Sequence, residues 1–162
     1  MAHALNGYNG PCSNIHGHSY ELHVTVKQAK GSRGKLIPPG FIIDFKELKE
    51  IVNSKVKARL DHKLVLSHEY TDSVGLHILH DNLFMFSTEP TAENLLLFIS
   101  RELMAYLPLN ITLHSLKLYE TNSSYAEWIN ENKSGGIECK LSIRGCSFLF
   151  PLIFGNLFMQ NQ

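Results

Sequence analysis

The sequence predicts a two-layer α+β fold in which an antiparallel sheet carries two helices on one face. Three observations lead there. Strict apolar alternation runs near the start of the chain, two capped segments of helical periodicity occupy its middle, and two more strand-like segments follow. The resulting order is strand, strand, helix, helix, strand, strand, which segregates helices from strands.

The first strand is expected over residues 18–26 (HSYELHVTV), where Tyr20, Leu22, Val24 and Val26 share one face. Lys27 to Gly40 is rich in Gly, Pro, Lys and Arg and reads as a long hairpin connection, with Phe41 to Ile43 as a second short strand. Asp44 then takes the N-cap place with Glu47 three residues on, a capping-box pattern. Phe45, Leu48, Ile51, Val52, Val56 and Leu60 follow at helical spacing. Residues 61–90 show no period and are expected to be irregular up to Thr91, which can cap a second helix. That helix places Leu95, Leu96, Ile99, Leu103 and Leu107 on one stripe, and Pro108 lies just past its end. Strands are expected over Ile111 to Glu120 and within Tyr125 to Ile129. Residues 130–136 (NENKSGG) read as a linker and 137–143 (IECKLSI) as one more strand. The apolar run 148–158 contains Pro151 and Gly155 and falls well short of the about 20 residues a membrane span needs, so a packed or disordered tail is expected there.

A chain of 162 residues is expected to form one domain with a genuine core. Fifteen basic side chains balance fifteen acidic ones, which gives no electrostatic footprint for nucleic acid or an acidic membrane. Three cysteines without a CxxC pair argue for a reducing, cytoplasmic compartment. No basic segment precedes an apolar run at the start, so no secretion signal is expected.

Histidine is the unusual total: nine in all, three of them at positions 3, 16 and 18. His16 and His18 are two apart and run into a strand, so both imidazoles project to one side. Neutral imidazole suits zinc, and three protein ligands with one open position is the catalytic arrangement. His3 can supply the third ligand, because the loop to His16 is long enough to fold back. By itself an HxH pair is more often just two surface or half-buried histidines. His23, His68, His77, His80 and His114 show no ligand spacing. Cys12 lies in a loop with Gly7, Gly10 and Pro11, where a thiolate beside a bound dication would be a base. The alternatives are a fourth ligand of a closed structural site, or an inert small side chain. Asp61-His62 follows the first helix, and a carboxylate beside an imidazole fixes its tautomer provided the helix has ended. Glu120, at a strand end and followed by Thr121, could accept two parallel hydrogen bonds, or be an ordinary exposed glutamate.

Taken together, MAHAL, CSNIHGHSY, IIDFKELK, LDHK, PTAENL and LYETNSSYAEW occur in an order that resembles the 6-pyruvoyltetrahydropterin synthase / 6-carboxytetrahydropterin synthase family. The resemblance covers roughly residues 1–129, leaving 130–162 as a C-terminal extension of unknown role. It implies the tunnelling fold and a homo-oligomer with active sites at subunit interfaces. It also implies that His3, His16 and His18 hold Zn2+, that Cys12 abstracts a proton, and that Asp61 with His62 forms the partner relay. Glu120 would anchor the pterin ring and count among the catalytic residues, with Thr121 beside it in substrate binding. The implied substrate is 7,8-dihydroneopterin triphosphate. Three residues separate Cys12 from His16, a spacing that resembles the 6-carboxytetrahydropterin branch of queuosine biosynthesis, whereas the pyruvoyl branch usually has two more. The family normally has a full strand ahead of its first zinc histidine, and here Met1 and Ala2 precede it.

Overall fold

A computed structural model describes residues 1–31, 36–38, 40–75, 81–130 and the strand 138–144. The expected linker beyond Asn130, the apolar run 148–158, and His77 and His80 lie outside the described residues.

The main sheet is antiparallel and ordered β7-β6-β3-β8, from β3 (Glu21–Gln28), β6 (Ile111–Tyr119), β7 (Tyr125–Ile129) and β8 (Glu138–Arg144). The expected strand at 137–143 is therefore present and lies along β3. The alternation read at the first strand is the buried face of β3, with Leu22, Val24 and Val26 in the core. In β6 the buried positions step from Ile111 and Leu113 to Leu116 and Leu118. The change of phase coincides with a register shift at Thr25/Val26, where the pairing with β3 steps over position 114 and keeps one apolar face throughout.

Both expected helices cover that face. Asp44 caps α1 (Phe45–Val52), its side chain accepting the Lys46 N–H at 2.8 Å. The helix widens into a π-turn over Asn53–Lys57, where the Ser54 hydroxyl bonds the carbonyls of Glu50 and Ile51, and ends as α2 (Ala58–Leu60). Leu48, Val52 and Val56 are buried from this run, whereas Phe45 at its start is exposed. Thr91 caps the long helix α4 (Ala92–Tyr106), accepting the Asn94 N–H. Leu95, Leu96, Ile99 and Leu103 of α4 meet Leu113, Leu116 and Leu118 in one core. No helix among the described residues is long and apolar enough to cross a membrane.

Two expectations are corrected. Phe41 to Ile43 is no strand: Phe41 forms an isolated bridge with Ile37 in a narrow turn, and Ile42 and Ile43 are apolar because they are buried. Residues 61–90 are largely ordered. They hold β4 (Leu64–Ser67), α3 (His68–Val74) and β5 (Leu83–Phe86). Ser67 caps α3, and Gly75 ends it at φ 64°, a left-handed conformation that glycine adopts without steric cost. β4 and β5 join β1 (Ala2–His3) and β2 (His16–Gly17) in a second small sheet ordered β2-β1-β4-β5. This sheet places the histidines.

Candidate metal centre and ring-binding site

His3 and His16 are directly paired across β1 and β2. The start of the chain is fastened on both sides. The Ala2 N–H donates to Lys63 O at 2.9 Å, the His18 N–H donates to Met1 O at 3.1 Å, and β1 runs parallel to β4. His3 is only 3% exposed, so the imidazole nearest the start of the chain is firmly held.

The three imidazoles converge. One ring nitrogen of each of His3, His16 and His18 lies within 4.8 Å of the others, and among the described residues this is the group able to hold a metal ion. Two of the rings are oriented from behind. His3 Nδ1 lies 2.8 Å from Pro90 O, and His16 Nδ1 lies 2.8 Å from Asn14 O. A carbonyl accepts only from an N–H, so in the neutral rings Nδ1 carries the proton and Nε2 keeps its lone pair. His16 Nε2 is buried without a protein hydrogen-bond partner. A bare acceptor in that position fits a metal ion. Burial, the largest cause, pushes the pKa of His3 below the ordinary imidazole value; His16 and His18 add to this, while the Pro90 carbonyl and Glu120 act against it. The ring is thereby kept in the state that ligates.

Glu120 reaches the same place from the other end of the chain. β3 and β6 pair Glu21 with Tyr119, and one step further the register sets Tyr20 opposite Glu120. The Tyr20 hydroxyl donates to Glu120 Oε1 at 2.9 Å and lies 3.4 Å from His3 Nε2. Burial, then the charge and hydrogen bond of Glu120, and then Cys12 raise the phenol's pKa well above its ordinary value. Glu120 is pinned by its N–H to Ser124 O at 3.0 Å, in a turn whose Thr121 hydroxyl accepts the Ser123 and Ser124 amides.

Cys12 is a free thiol of intermediate burial in a short 3-10 turn, Pro11–Ser13, and its carbonyl accepts the Leu5 N–H at 2.9 Å. Glu89 tethers the other side of that loop, accepting the Asn6 N–H at 2.7 Å and the Ser67 hydroxyl. The helix has ended at Asp61, which is extended, and His62 turns back in a left-handed conformation at φ 56°. His62 Nε2 lies 3.9 Å from Asp61 Oδ1, and its side chain is 80% exposed. His62 opens onto a depression lined by Met1, Ala2, Lys63, Leu64 and Asn82.

The structure thus gathers His3, His16, His18 and Glu120 with Cys12 nearby, and turns His62 outward while Asp61 stays half-buried. Sequence reasoning missed Tyr20 and Glu89 as parts of the site. The signal for Tyr20 was its place two residues beyond His18 on the same strand face, while Glu89 has no signal beyond its position before the Pro90-Thr91 helix start. His23 Nε2 lies 2.9 Å from Glu21 Oε1, away from the three converging imidazoles.

Residues 1–131 match the model of the family described as 6-pyruvoyl tetrahydropterin synthase. A 6-carboxy-5,6,7,8-tetrahydropterin synthase of Rickettsia typhi is 31% identical over 130 residues, 77% of this chain and 90% of its own. One of the same name from Haemophilus influenzae is 32% identical over 136 residues, 79% of this chain and 91% of its own. Among solved structures, an uncharacterized protein of Wolinella succinogenes superimposes with a TM-score of 0.62 at 16% identity, covering 80% of this chain and 92% of that one. The architecture is the tunnelling fold expected from the sequence.

Proposed function

The chain belongs to the 6-pyruvoyl tetrahydropterin synthase family, and from that premise we propose that it is a zinc-dependent lyase of the 6-carboxytetrahydropterin branch. It converts 7,8-dihydroneopterin triphosphate to 6-carboxy-5,6,7,8-tetrahydropterin, releasing acetaldehyde and triphosphate, in the cytoplasm and in service of queuosine biosynthesis. The observation that supports this most is the convergence of His3, His16 and His18 beside a carboxylate that a hydrogen bond has already oriented. The relatives named 6-carboxy-5,6,7,8-tetrahydropterin synthase favour the carboxy product.

His3, His16 and His18 would hold the zinc, which when bound supplies Lewis acidity toward oxygens of the substrate side chain. Glu120 receives the pterin ring, whose N3–H and 2-amino group match a carboxylate's two oxygens, with Thr121 shaping the adjoining turn. Cys12, beside the site, takes the proton from the side-chain carbon. Asp61 orients His62, whose exposed imidazole exchanges protons with the site. That outward position suits a site shared between subunits, so we place the active site at an interface of a homo-oligomer. Tyr125 and Ile129, exposed on the edge strand β7, give that association apolar surface.

The test is metal analysis of the purified protein together with incubation on dihydroneopterin triphosphate. Zinc near one per chain, release of triphosphate and a product with the mass of the carboxytetrahydropterin are expected. A pyruvoyl product would move the chain to the other branch, and absence of triphosphate release from a zinc-loaded sample would sink the assignment.

A further inference from the structure

We propose that Tyr20 is a positioning residue, whose hydroxyl fixes the Glu120 carboxylate for the ring while leaving His3 Nε2 available to a metal. The proposal rests on the pterin-lyase reading above and adds a residue to it.

Proton accounting at three atoms carries the argument. His3 Nδ1 faces the Pro90 carbonyl at 2.8 Å, so its proton resides there and Nε2 brings none to Tyr20. The phenol owns a single proton and gives it to Glu120 Oε1 at 2.9 Å. The 3.4 Å approach of the hydroxyl to His3 Nε2 is therefore not a hydrogen bond, and the imidazole lone pair stays open. One side chain serves both halves of the site, binding the carboxylate while standing beside the ligand without occupying it.

Geometry makes Tyr20 suited to this. His16, His18 and Tyr20 succeed one another at the two-residue period of an extended chain, and their rings stack edge to face, 4.9 Å from His16 to His18 and 5.6 Å from His18 to Tyr20. The Tyr20 ring also meets His3 at 6.1 Å. Its ring is thus flanked by two neighbouring imidazoles, those of His3 and His18, before its hydroxyl reaches Glu120, a residue 100 positions away in sequence. A glutamate has three rotatable bonds, and holding one oxygen reduces what ring binding must order.

Tyr20→Phe keeps the ring and removes only the hydroxyl. The expected result is unchanged metal content and circular dichroism, an about tenfold weaker affinity for biopterin used as a non-reacting probe, and a rise in KM with little change in kcat. Glu120→Gln supplies the second variant. In that background the further loss from Tyr20→Phe should shrink to less than about twofold, because the two residues act as a unit. Normal biopterin affinity in Tyr20→Phe, loss of its metal, or full multiplication of the two effects would each overturn the proposal. If the wild type itself does not bind biopterin, the proposed function falls; the Tyr20–Glu120 link is then read from melting temperatures of the same three variants, where additive shifts overturn it and non-additive ones support it.

Discussion

His3 and His16 present Nε2 to a common point because a backbone carbonyl holds each Nδ1, and neither carbonyl belongs to a neighbouring strand of the small sheet. Removing one imidazole leaves two ligands, too few for a catalytic zinc site. His16→Ala is expected to yield protein with the wild-type fold and far below one zinc per chain; retention of full zinc would exclude His16 from the shell. Cys12→Ala should keep zinc and fold and lose turnover by about 10²–10⁴-fold, the usual contribution of a general base. Near-normal turnover would show that another group takes the proton. Glu120→Gln exchanges an acceptor for a donor opposite the ring's N–H groups and should weaken pterin binding by about ten- to a thousandfold. Its zinc content should not change, since Tyr20 stands between Glu120 and His3. Unchanged affinity by calorimetric titration would make Glu120 a bystander. At this scale the sequence was legible where the chemistry is local: HGH and the residues after it share one face by period alone. The meeting of Tyr20 with Glu120 was hidden because it depends on the register of two strands 100 residues apart.

The segment Glu89-Pro90-Thr91 shows how one connection serves several elements. Thr91 caps α4, the Pro90 carbonyl orients His3, and the Glu89 carboxylate ties the Asn6 amide to the Ser67 hydroxyl at the start of α3. Thr91→Ala is expected to lower stability by about 1 kcal/mol without changing zinc affinity, because only the cap is lost. Glu89→Ala strands the half-buried Asn6 amide and the buried Ser67 hydroxyl and loosens the loop leading to Cys12, so stability should drop by about 1–3 kcal/mol and zinc affinity should fall with it. Denaturant melts beside a chelator competition distinguish the two, and equal zinc affinity in both variants would show that the loop needs no tether. The caps at Asp44 and Thr91 were readable because capping chemistry lies within four residues. β4 was not. Leu64-Val65-Leu66 is a short, continuously apolar run buried on both faces, Val65 in the main core and Leu66 in a second cluster with Ala4 and Tyr70, so it lacks the alternation that reveals a half-exposed strand. β1, with two residues, offers no period at all.

At the scale of the molecule, the antiparallel sheet with its helices supplies Tyr20 and Glu120 at one end, and the small mixed sheet supplies the histidines. Asp61-His62 stands apart in character. His62 holds a left-handed backbone that a side chain adopts only at some cost, and its ring is 80% exposed, whereas Cys12 lies close enough to Tyr20 to act on its phenol. Under the proposed function, a relay that serves Cys12 while its imidazole is turned to solvent is completed across an interface, with His62 of one subunit meeting Cys12 of another. Complementation tests this directly. Cys12→Ala removes the base, and His62→Gly removes the imidazole at a position whose φ of 56° glycine accepts without strain. Each variant alone should be nearly inactive. Co-assembled in equal amounts, they should recover about a quarter of wild-type activity, since in a symmetric oligomer of randomly mixed subunits that share of interfaces pairs an intact Cys12 with an intact His62. The same mixture should keep its full zinc content, because neither variant touches His3, His16 or His18. A mixture no more active than the single variants, with hybrid oligomers verified by mass, would mean that each chain builds its relay alone.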